Sequence, residues 1–207
     1  THCKDVAVAV INAGAFAVLG EAMHTPDEIA ADIRWIRERI NGKPYGIDLV
    51  LPASSPLEGG LEDLESKIPA SHRDFAAGGA KRHDVPEPKG PVARHRWGGL
   101  NQQMARAQLD VVLAERVPVF TSGLGNPAFI LEAAHARGIK VFGLIGKKRQ
   151  AEREIEAGVD AIIAQGYDAA GHTGNVGTLS IVAEVAAMAG DTPIIAAGGI
   201  TTGRQLA

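Results

Sequence analysis

One histidine stands in a glycine-rich loop that directly follows an apolar run of the chain. The run, residues 159–164, is typical of a strand that is buried on both faces. It ends at Gln165 and Gly166, and the loop beyond it carries Gly171 and His172. Chemistry in α/β proteins lies beyond the carboxyl ends of the strands. An imidazole there can move a proton or stabilise a developing anion near neutral pH. We therefore predict that His172 contacts substrate or acts in catalysis.

Position rather than residue type distinguishes His172, because the chain holds seven histidines in all. No second histidine or cysteine lies at metal-ligand spacing from it, so no metal is predicted. No GxSxG elbow is present, so the sequence does not support a hydrolase triad either. Proton transfer or hydrogen bonding is the chemistry that the loop favours.

Two adjacent glycines, Gly198 and Gly199, end the last apolar run and precede Thr201. Such a pair lets the backbone approach a ligand closely, and free N–H groups at a helix start favour a phosphate. In β/α barrels the phosphate site commonly follows strands 7 and 8. A phosphate-binding turn is the favoured interpretation, and a plain turn is the alternative.

Two polar residues interrupt otherwise apolar strands, namely Asp48 and Gln165. A polar side chain buried there needs a partner, because leaving it unpaired costs roughly 1–3 kcal/mol. A heteroaromatic ligand ring or the backbone of a neighbouring strand would serve equally well. A third motif, residues 123–128, has the form of a dinucleotide fingerprint. The next strand is not followed by the required carboxylate, so we predict a tight turn with Asn126 as the helix cap.

The secondary-structure pattern alternates strands with helices. Apolar strands are predicted at residues 15–20, 45–52, 117–122, 140–146, 159–165 and 193–199. Helices between them end repeatedly at a glycine, which indicates a parallel sheet, either doubly wound or closed into a barrel. A (β/α)8 TIM barrel needs eight strands. On that interpretation residues 1–207 form one partial barrel domain, with the first and last strands missing from the sequence.

Residues 53–99 break this rhythm after the second visible strand. The segment is rich in proline and basic residues and shows no long apolar periodicity. We predict an irregular insertion, either a lid over the site or a disordered segment.

Composition limits the classes of partner. The net charge of -3 does not favour nucleic acid or an anionic membrane surface. The single cysteine, Cys3, cannot form a disulfide within the chain, and no apolar run is long enough to span a bilayer. We expect a cytoplasmic protein that acts on a small molecule, with a homodimer as the candidate assembly.

The run AQGYDAAGHTG, residues 164–174, and the later PIIAAGGI, residues 193–200, resemble the nitronate monooxygenase (2-nitropropane dioxygenase-like) family. The strand YGIDLVLP and the turn FTSGLGNP are similar to that family's third and fourth strands. The resemblance covers nearly the whole chain apart from residues 53–99. It implies a TIM barrel that carries FMN at the carboxyl ends of its strands, with a loop histidine beside the flavin.

The resemblance also assigns roles to residues. It implies that Gln165 and Gly166 contact the flavin and that His172 is the histidine of the family's AGGH motif, which reads AAGH here. Gly171 belongs to the same motif and is expected to contact the cofactor.

The glycine pair 198–199 corresponds to the family's phosphate-binding glycines. Asp48 occupies a position near the flavin that is often Asn, so its charge is expected to influence substrate preference. Without the first and eighth strands, the chain alone is expected to hold FMN weakly.

Three functions are consistent with these residues. The first is FMN-dependent oxidation of alkyl nitronates with O₂, with His172 as base or hydrogen-bond donor. The second is an NAD(P)H-dependent flavin reductase of quinones or enoyl thioesters. The third is a flavin- or phosphate-binding protein without turnover, or an inactive fragment.

Overall fold

Each strand of the chain pairs with the next strand in the sequence. The computed structural model describes residues 1–51, 66–87 and 102–206, and within them all strands join one parallel sheet of order β1 to β6. The strands are β1 (Val18–Gly20), β2 (Gly46–Val50), β3 (Val119–Gly123), β4 (Lys140–Ile145), β5 (Ala161–Gln165) and β6 (Ile194–Ala197). A doubly wound sheet reverses its strand order, whereas a barrel does not. The sequential order therefore selects the barrel of the two predicted architectures.

Helices lie between most of these strands. They are α1 (Lys4–Asn12), α2 (Pro26–Arg37), α3 (Ala70–Arg82), α4 (Gln102–Ala114), α5 (Leu131–His135), α6 (Lys148–Ala157), α7 (Thr178–Ala186) and α8 (Gly203–Leu206). The helix predicted from Asn126 onwards is divided into a 3₁₀ turn, Pro127–Ile130, and the short α5. None of the helices in the described residues is long and apolar enough to cross a membrane.

Helix α2 shows how the sequence fixes one element. Thr25 caps it, because its hydroxyl accepts a hydrogen bond from the Glu28 N–H while the Glu28 carboxylate accepts one from the Thr25 N–H. The apolar face that follows begins with Ile29 and Ile33, and both are fully buried against the sheet. The predicted cap and the predicted core face of this helix are both confirmed.

A left-handed glycine ends α6, as predicted, because Gly158 is its C-cap with a φ of +92°. Gly138 and Gly190 also have positive φ values, +75° and +56°, but they lie beyond the C-caps Ala136 and Ala187, so the prediction that they cap their helices is wrong. A side chain with a Cβ rarely adopts this conformation, so glycine lets the chain leave each helix and turn towards the next strand.

The segment 53–99 departs from its prediction where the structure describes it. Residues 70–82 form a regular helix, α3, so the expectation of irregular structure is wrong for this part. No residue of α3 is buried. An exposed helix has no apolar stripe to reveal its period in the sequence, which explains the error. Residues 53–65 and 88–99 lie outside the described residues, and the lid and disorder alternatives remain predictions there.

The six strands form an open arc rather than a closed barrel. Among the described residues, β1 pairs only with β2, and β6 pairs only with β5. Closed barrels have no such edges. The predicted incomplete barrel is therefore confirmed for the part of the chain that the structure describes.

Candidate active site

A cleft of about 530 Å³ opens at the carboxyl ends of β3, β4 and β5. Its size falls in the range typical of small-molecule sites. The side chains that give it polar character come from the end of β5, from the loops after these strands and from α6: Asn126, Lys147, Gln150, Arg153, Glu154, Gln165, His172 and Thr173. The cleft thus occupies the edge of the sheet where a β/α barrel places its chemistry.

His172 and Gln165, predicted from different features of the sequence, line this same cleft. The Gln165 side-chain amide donates a hydrogen bond to the Ala170 carbonyl oxygen over 3.3 Å, which ties the loop back to the end of β5. Gly171 has a φ of +82° and no neighbour within 4 Å of the position a Cβ would take. This left-handed glycine turns the chain immediately before the exposed His172.

The loop is held at its start by close packing of backbone on backbone. A Cβ added at Gly166 would collide with the backbone and hydroxyl of Thr178, the first residue of α7. The Gly166 N–H donates to the Ala197 carbonyl oxygen over 3.0 Å. The space where a Cβ on Gly166 would lie is thus filled by Thr178, and the N–H group of Gly166 is already hydrogen-bonded within the protein. The predicted flavin contact of Gly166 remains a prediction.

Asp168 completes this attachment. Its Oδ2 accepts a hydrogen bond of 2.8 Å from the Thr178 N–H, one of the unpaired donors at the start of α7. The carboxylate lies ten residues before the helix, so no local capping pattern indicates it. Sequence reasoning missed both Asp168 and Thr178.

A second glycine contact holds the far end of the loop. The position of a Cβ on Gly146, just after β4, lies 2.9 Å from the Gly174 nitrogen. A Cβ on Gly174 would in turn collide with the Gly146 carbonyl oxygen. His172 is therefore held between two points where only glycine allows the chains to meet.

Gly198 and Gly199 also pack against this loop. Their φ values of +119° and +69° favour glycine, and a Cβ on Gly198 would lie 2.8 Å from the Ala169 nitrogen. Neither residue lines the cleft that holds His172. The positive φ values and the close contact with Ala169 thus account for glycine at both positions without a ligand. The phosphate-binding role of the pair remains a prediction.

Asp48 lies elsewhere in the sheet. It pairs in register with Thr121, whose hydroxyl donates a hydrogen bond of 2.9 Å to Asp48 Oδ1. Burial raises the pKa of Asp48 to about 6, although the hydrogen bond from Thr121 works in the opposite direction. Asp48 does not line the cleft with His172, and its place near a flavin remains a prediction.

The motif of residues 123–128 forms the turn that the sequence predicted. Asn126 Oδ1 accepts a hydrogen bond of 2.8 Å from the Ala128 N–H and so caps the 3₁₀ turn. A Cβ on Gly125 would collide with the Leu51 carbonyl oxygen. Close packing between the ends of β2 and β3 therefore accounts for the glycine at position 125.

Glu154 is the least expected residue of the cleft. It belongs to α6, only 4% of its surface is exposed, and its Oε2 has no hydrogen-bond partner among the described residues. The carboxylate fills the space that a side chain on Gly143 of β4 would need. Burial raises the pKa of Glu154 to about 8. No pattern in the sequence indicates this burial, because charged residues on a short helix usually face solvent.

The strand order and the cleft define a β/α-barrel protein with an open cleft on the face where such barrels carry their chemistry. The sequence model of the family described as nitronate monooxygenase matches residues 2–207. The chain therefore belongs to the nitronate monooxygenase family, and the resemblance inferred from its motifs is confirmed.

Similar proteins agree with this assignment. "Putative monooxygenase Rv1533" of Mycobacterium tuberculosis is 39% identical over 214 residues, which cover 100% of this chain and 57% of that protein. A "Probable nitronate monooxygenase" of Staphylococcus aureus (strain JH9) is 26% identical over 94% of this chain and 54% of its own length. The chain thus spans little more than half the length of these curated relatives.

Solved structures show the same architecture. A nitroalkane oxidase from Streptomyces ansochromogenes superposes with a TM-score of 0.76 and 27% identity, covering 99% of this chain and 57% of that one. FabK from Thermotoga maritima gives a TM-score of 0.70 and 26% identity, with coverage of 99% and 50%.

The first prediction concerns the attachment of the loop. We expect Gly166→Ala to lower the free energy of unfolding by about 1–3 kcal/mol, because the added methyl group collides with Thr178. Chemical denaturation measures the change. Gly79→Ala is the matched control, since Gly79 lies in exposed α3 with no neighbour near its Cβ position. Equal stability of Gly166→Ala and wild type would contradict the close packing.

The second prediction concerns the pH dependence of stability. The folded-state pKa of Glu154, about 8, exceeds the reference value of 4.5, so the folded state binds the proton more tightly than the unfolded state. The contribution of Glu154 to stability is then greatest at low pH and is lost as the pH rises from about 4.5 to about 8. We expect Glu154→Gln to remove this decline. Between pH 5 and pH 8.5 the free energy of unfolding of the variant should therefore rise by about 1–3 kcal/mol relative to that of wild type.

Denaturant titrations at several pH values test this expectation. Glu152→Gln changes an exposed carboxylate of the same helix and should leave the pH profile as it is in wild type. Parallel profiles for Glu154→Gln and wild type would show that Glu154 is ionised in the folded protein at neutral pH.

Proposed function

We propose that this chain belongs to an FMN-dependent enzyme that oxidises alkyl nitronates with O₂. The observation that supports this most is the meeting of His172 and Gln165 in one cleft at the carboxyl ends of the strands. Membership of the nitronate monooxygenase family makes that cleft the natural place for the reaction.

The residues of this face are compatible with FMN. A flavin ring needs hydrogen-bonding groups beside it, and the Gln165 side-chain amide lies at the cleft wall. A phosphate is bound by backbone N–H groups that no side chain shields. Gly198 and Gly199 offer two consecutive positions without a side chain. When bound, FMN would supply the electron transfer from substrate to O₂, which no amino-acid side chain provides.

The work of the chain's own residues is proton transfer and positioning. A ring nitrogen of His172 would take the proton from the nitro-bearing carbon of a neutral nitroalkane, which forms the nitronate, or would donate a hydrogen bond to the oxygen atoms of a nitronate that is already an anion. The attachments at Gly166 and Gly174 would position the backbone of the loop that carries the imidazole, because both ends pack closely on neighbouring backbone.

Charge on the cleft favours an anionic substrate. Lys147 and Arg153 both line it. Exposed cations around a cleft raise the local concentration of anions and their rate of arrival. A nitronate is an anion and would benefit from this attraction.

The same two cations keep a second function open. An NAD(P)H-dependent flavin reductase of quinones or enoyl thioesters would need a place for the phosphates of its substrate. Lys147 and Arg153 line the cleft and could hold them, since lysine and arginine both bind phosphate.

The third prediction tests His172 in the full-length protein. We expect His172→Ala to keep its visible flavin spectrum and to lose about 10²–10⁴-fold in oxygen uptake with 2-nitropropane nitronate or propionate 3-nitronate. An oxygen electrode follows the reaction. His135→Ala is the control, because His135 lies on α5 and bonds Asp160, far from the cleft residues in the fold. Full activity of His172→Ala would show that the imidazole of His172 has no role in catalysis.

The fourth prediction separates the two functions. For a nitronate monooxygenase we expect no bleaching of the flavin when NADH or NADPH is added without oxygen. Stopped-flow absorbance of the anaerobic protein gives the answer. Rapid bleaching that weakens in Lys147→Ala and Arg153→Ala would support the reductase instead.

A further inference from the structure

Away from the cleft, three potential metal ligands meet where β1 ends and α2 begins. Glu21 follows β1 directly, His24 lies in the connecting loop, and Asp32 lies within α2. One ligand atom from each lies within 4.8 Å of the others. His24 Nδ1 is 2.5 Å from Glu21 Oε2 and 3.5 Å from Asp32 Oδ2. The imidazole nitrogen therefore stands between two carboxylates.

Glu21 supplies an independent sign that the cluster takes a ligand. The residue is 0% exposed, and its Oε1 has no hydrogen-bond partner among the described residues. A buried carboxylate oxygen left unpaired costs more than a neutral group does. A bound cation would satisfy this oxygen, because a carboxylate can use both of its oxygen atoms towards one ion.

The three side chains are held in place by the surrounding structure. The Glu21 N–H donates to the Asp48 carbonyl oxygen over 2.9 Å. The Gln108 side-chain amide, which is buried, donates to the carbonyl oxygens of Ala22 and His24 over 3.1 Å and 2.6 Å. The loop cannot open without losing these bonds, so the ligand atoms are preorganised.

The charges around the cluster leave room for a cation. Lys4 pairs with Asp32 through Oδ1, whereas Oδ2 of the same carboxylate faces His24. Lys4 can therefore remain bound while Oδ2 accepts an ion. With a neutral imidazole, two carboxylates and one ammonium give the group a net charge of -1. A divalent ion would find net attraction there.

We propose that Glu21, His24 and Asp32 bind one divalent transition-metal ion. Imidazole suits Zn²⁺ and similar ions, and carboxylates suit Mn²⁺, so the mixed set favours Zn²⁺ or Mn²⁺ over Ca²⁺. Ligands bonded at about 2.0–2.2 Å lie roughly 3–3.6 Å apart around such an ion. The 3.5 Å between His24 Nδ1 and Asp32 Oδ2 already has this size, and the ion would take the place of the direct contact between His24 and Glu21.

The cluster is reached from solvent through a second cleft, which His24 and Asp32 line. This opening provides an entry path and space for water as a further ligand. The sequence-based prediction of no metal concerned the surroundings of His172, which this cluster does not include. Glu21 and Asp32 lie on different elements, and only the fold brings them together. The site would fasten the start of α2 to the end of β1.

Metal binding by the full chain tests the proposal. Protein treated with a chelator and dialysed is titrated calorimetrically with Zn²⁺, Mn²⁺ and Ca²⁺. We expect one Zn²⁺ or Mn²⁺ per chain, weaker binding of Ca²⁺, and a Tm that rises with metal concentration. In Glu21→Gln and Asp32→Asn the affinity should fall by about 10–100-fold or more. The assay does not depend on flavin or on turnover.

The control is His135→Gln, which removes another histidine paired with a carboxylate, Asp160, outside the cluster. Its affinity for metal should equal that of wild type. The proposal is overturned if wild type shows no saturable binding, or if Glu21→Gln binds as tightly as wild type. If Glu21→Gln does not fold, Asp32→Asn gives the same comparison, with Mn²⁺ binding followed by electron paramagnetic resonance.

Discussion

The close approach of Gly166 to Thr178 is the contact on which the arrangement of the site depends. No side chain fits between β5 and the first residue of α7, so the strand end and the helix start meet backbone to backbone. Asp168 then binds the helix N-terminus, and Gly198 and Gly199 pack on the same turn. The His172 loop is consequently part of the sheet's rigid edge, and a proton-transferring group gains from being held in this way.

Three carboxyl groups of this part of the barrel are largely removed from water, namely Asp48, Glu154 and Glu21. Removing a carboxylate from water costs free energy, and the three residues differ in what offsets this cost. Asp48 accepts a hydrogen bond from Thr121, whereas Glu154 gains a proton readily because its pKa is raised to about 8. Glu21 contacts His24 with one oxygen and leaves the other unpaired. Burial of charge without compensation is rare, and perturbed carboxyl groups cluster at functional sites.

Most of the fold could be predicted from the sequence, because its signals are local. The apolar runs, the capping box at Thr25 and the glycines that end helices each specify an element without knowledge of the rest. The choice between a barrel and a doubly wound sheet could not be made, because pairing order is a property of the whole chain. Helix α3 was missed because no side of it is buried.

The candidate site could be predicted only in part. His172 and Gln165 were found because a strand and a glycine-rich loop carry them to the same edge. Glu154, Asp168 and the Glu21 cluster were not found, since their partners lie on other elements. The family resemblance implies a flavin contact at Gly166, and the structure shows that this glycine serves packing within the chain.

The contact between Glu154 and Gly143 has a consequence for substitution on β4. The carboxylate occupies the volume that a side chain on β4 would take, so strand and helix share one space between two positions. A Cβ at Gly143 would displace the flexible end of the Glu154 side chain from that space. The absence of a side chain on the strand is therefore what gives a carboxylate of the helix its place out of water.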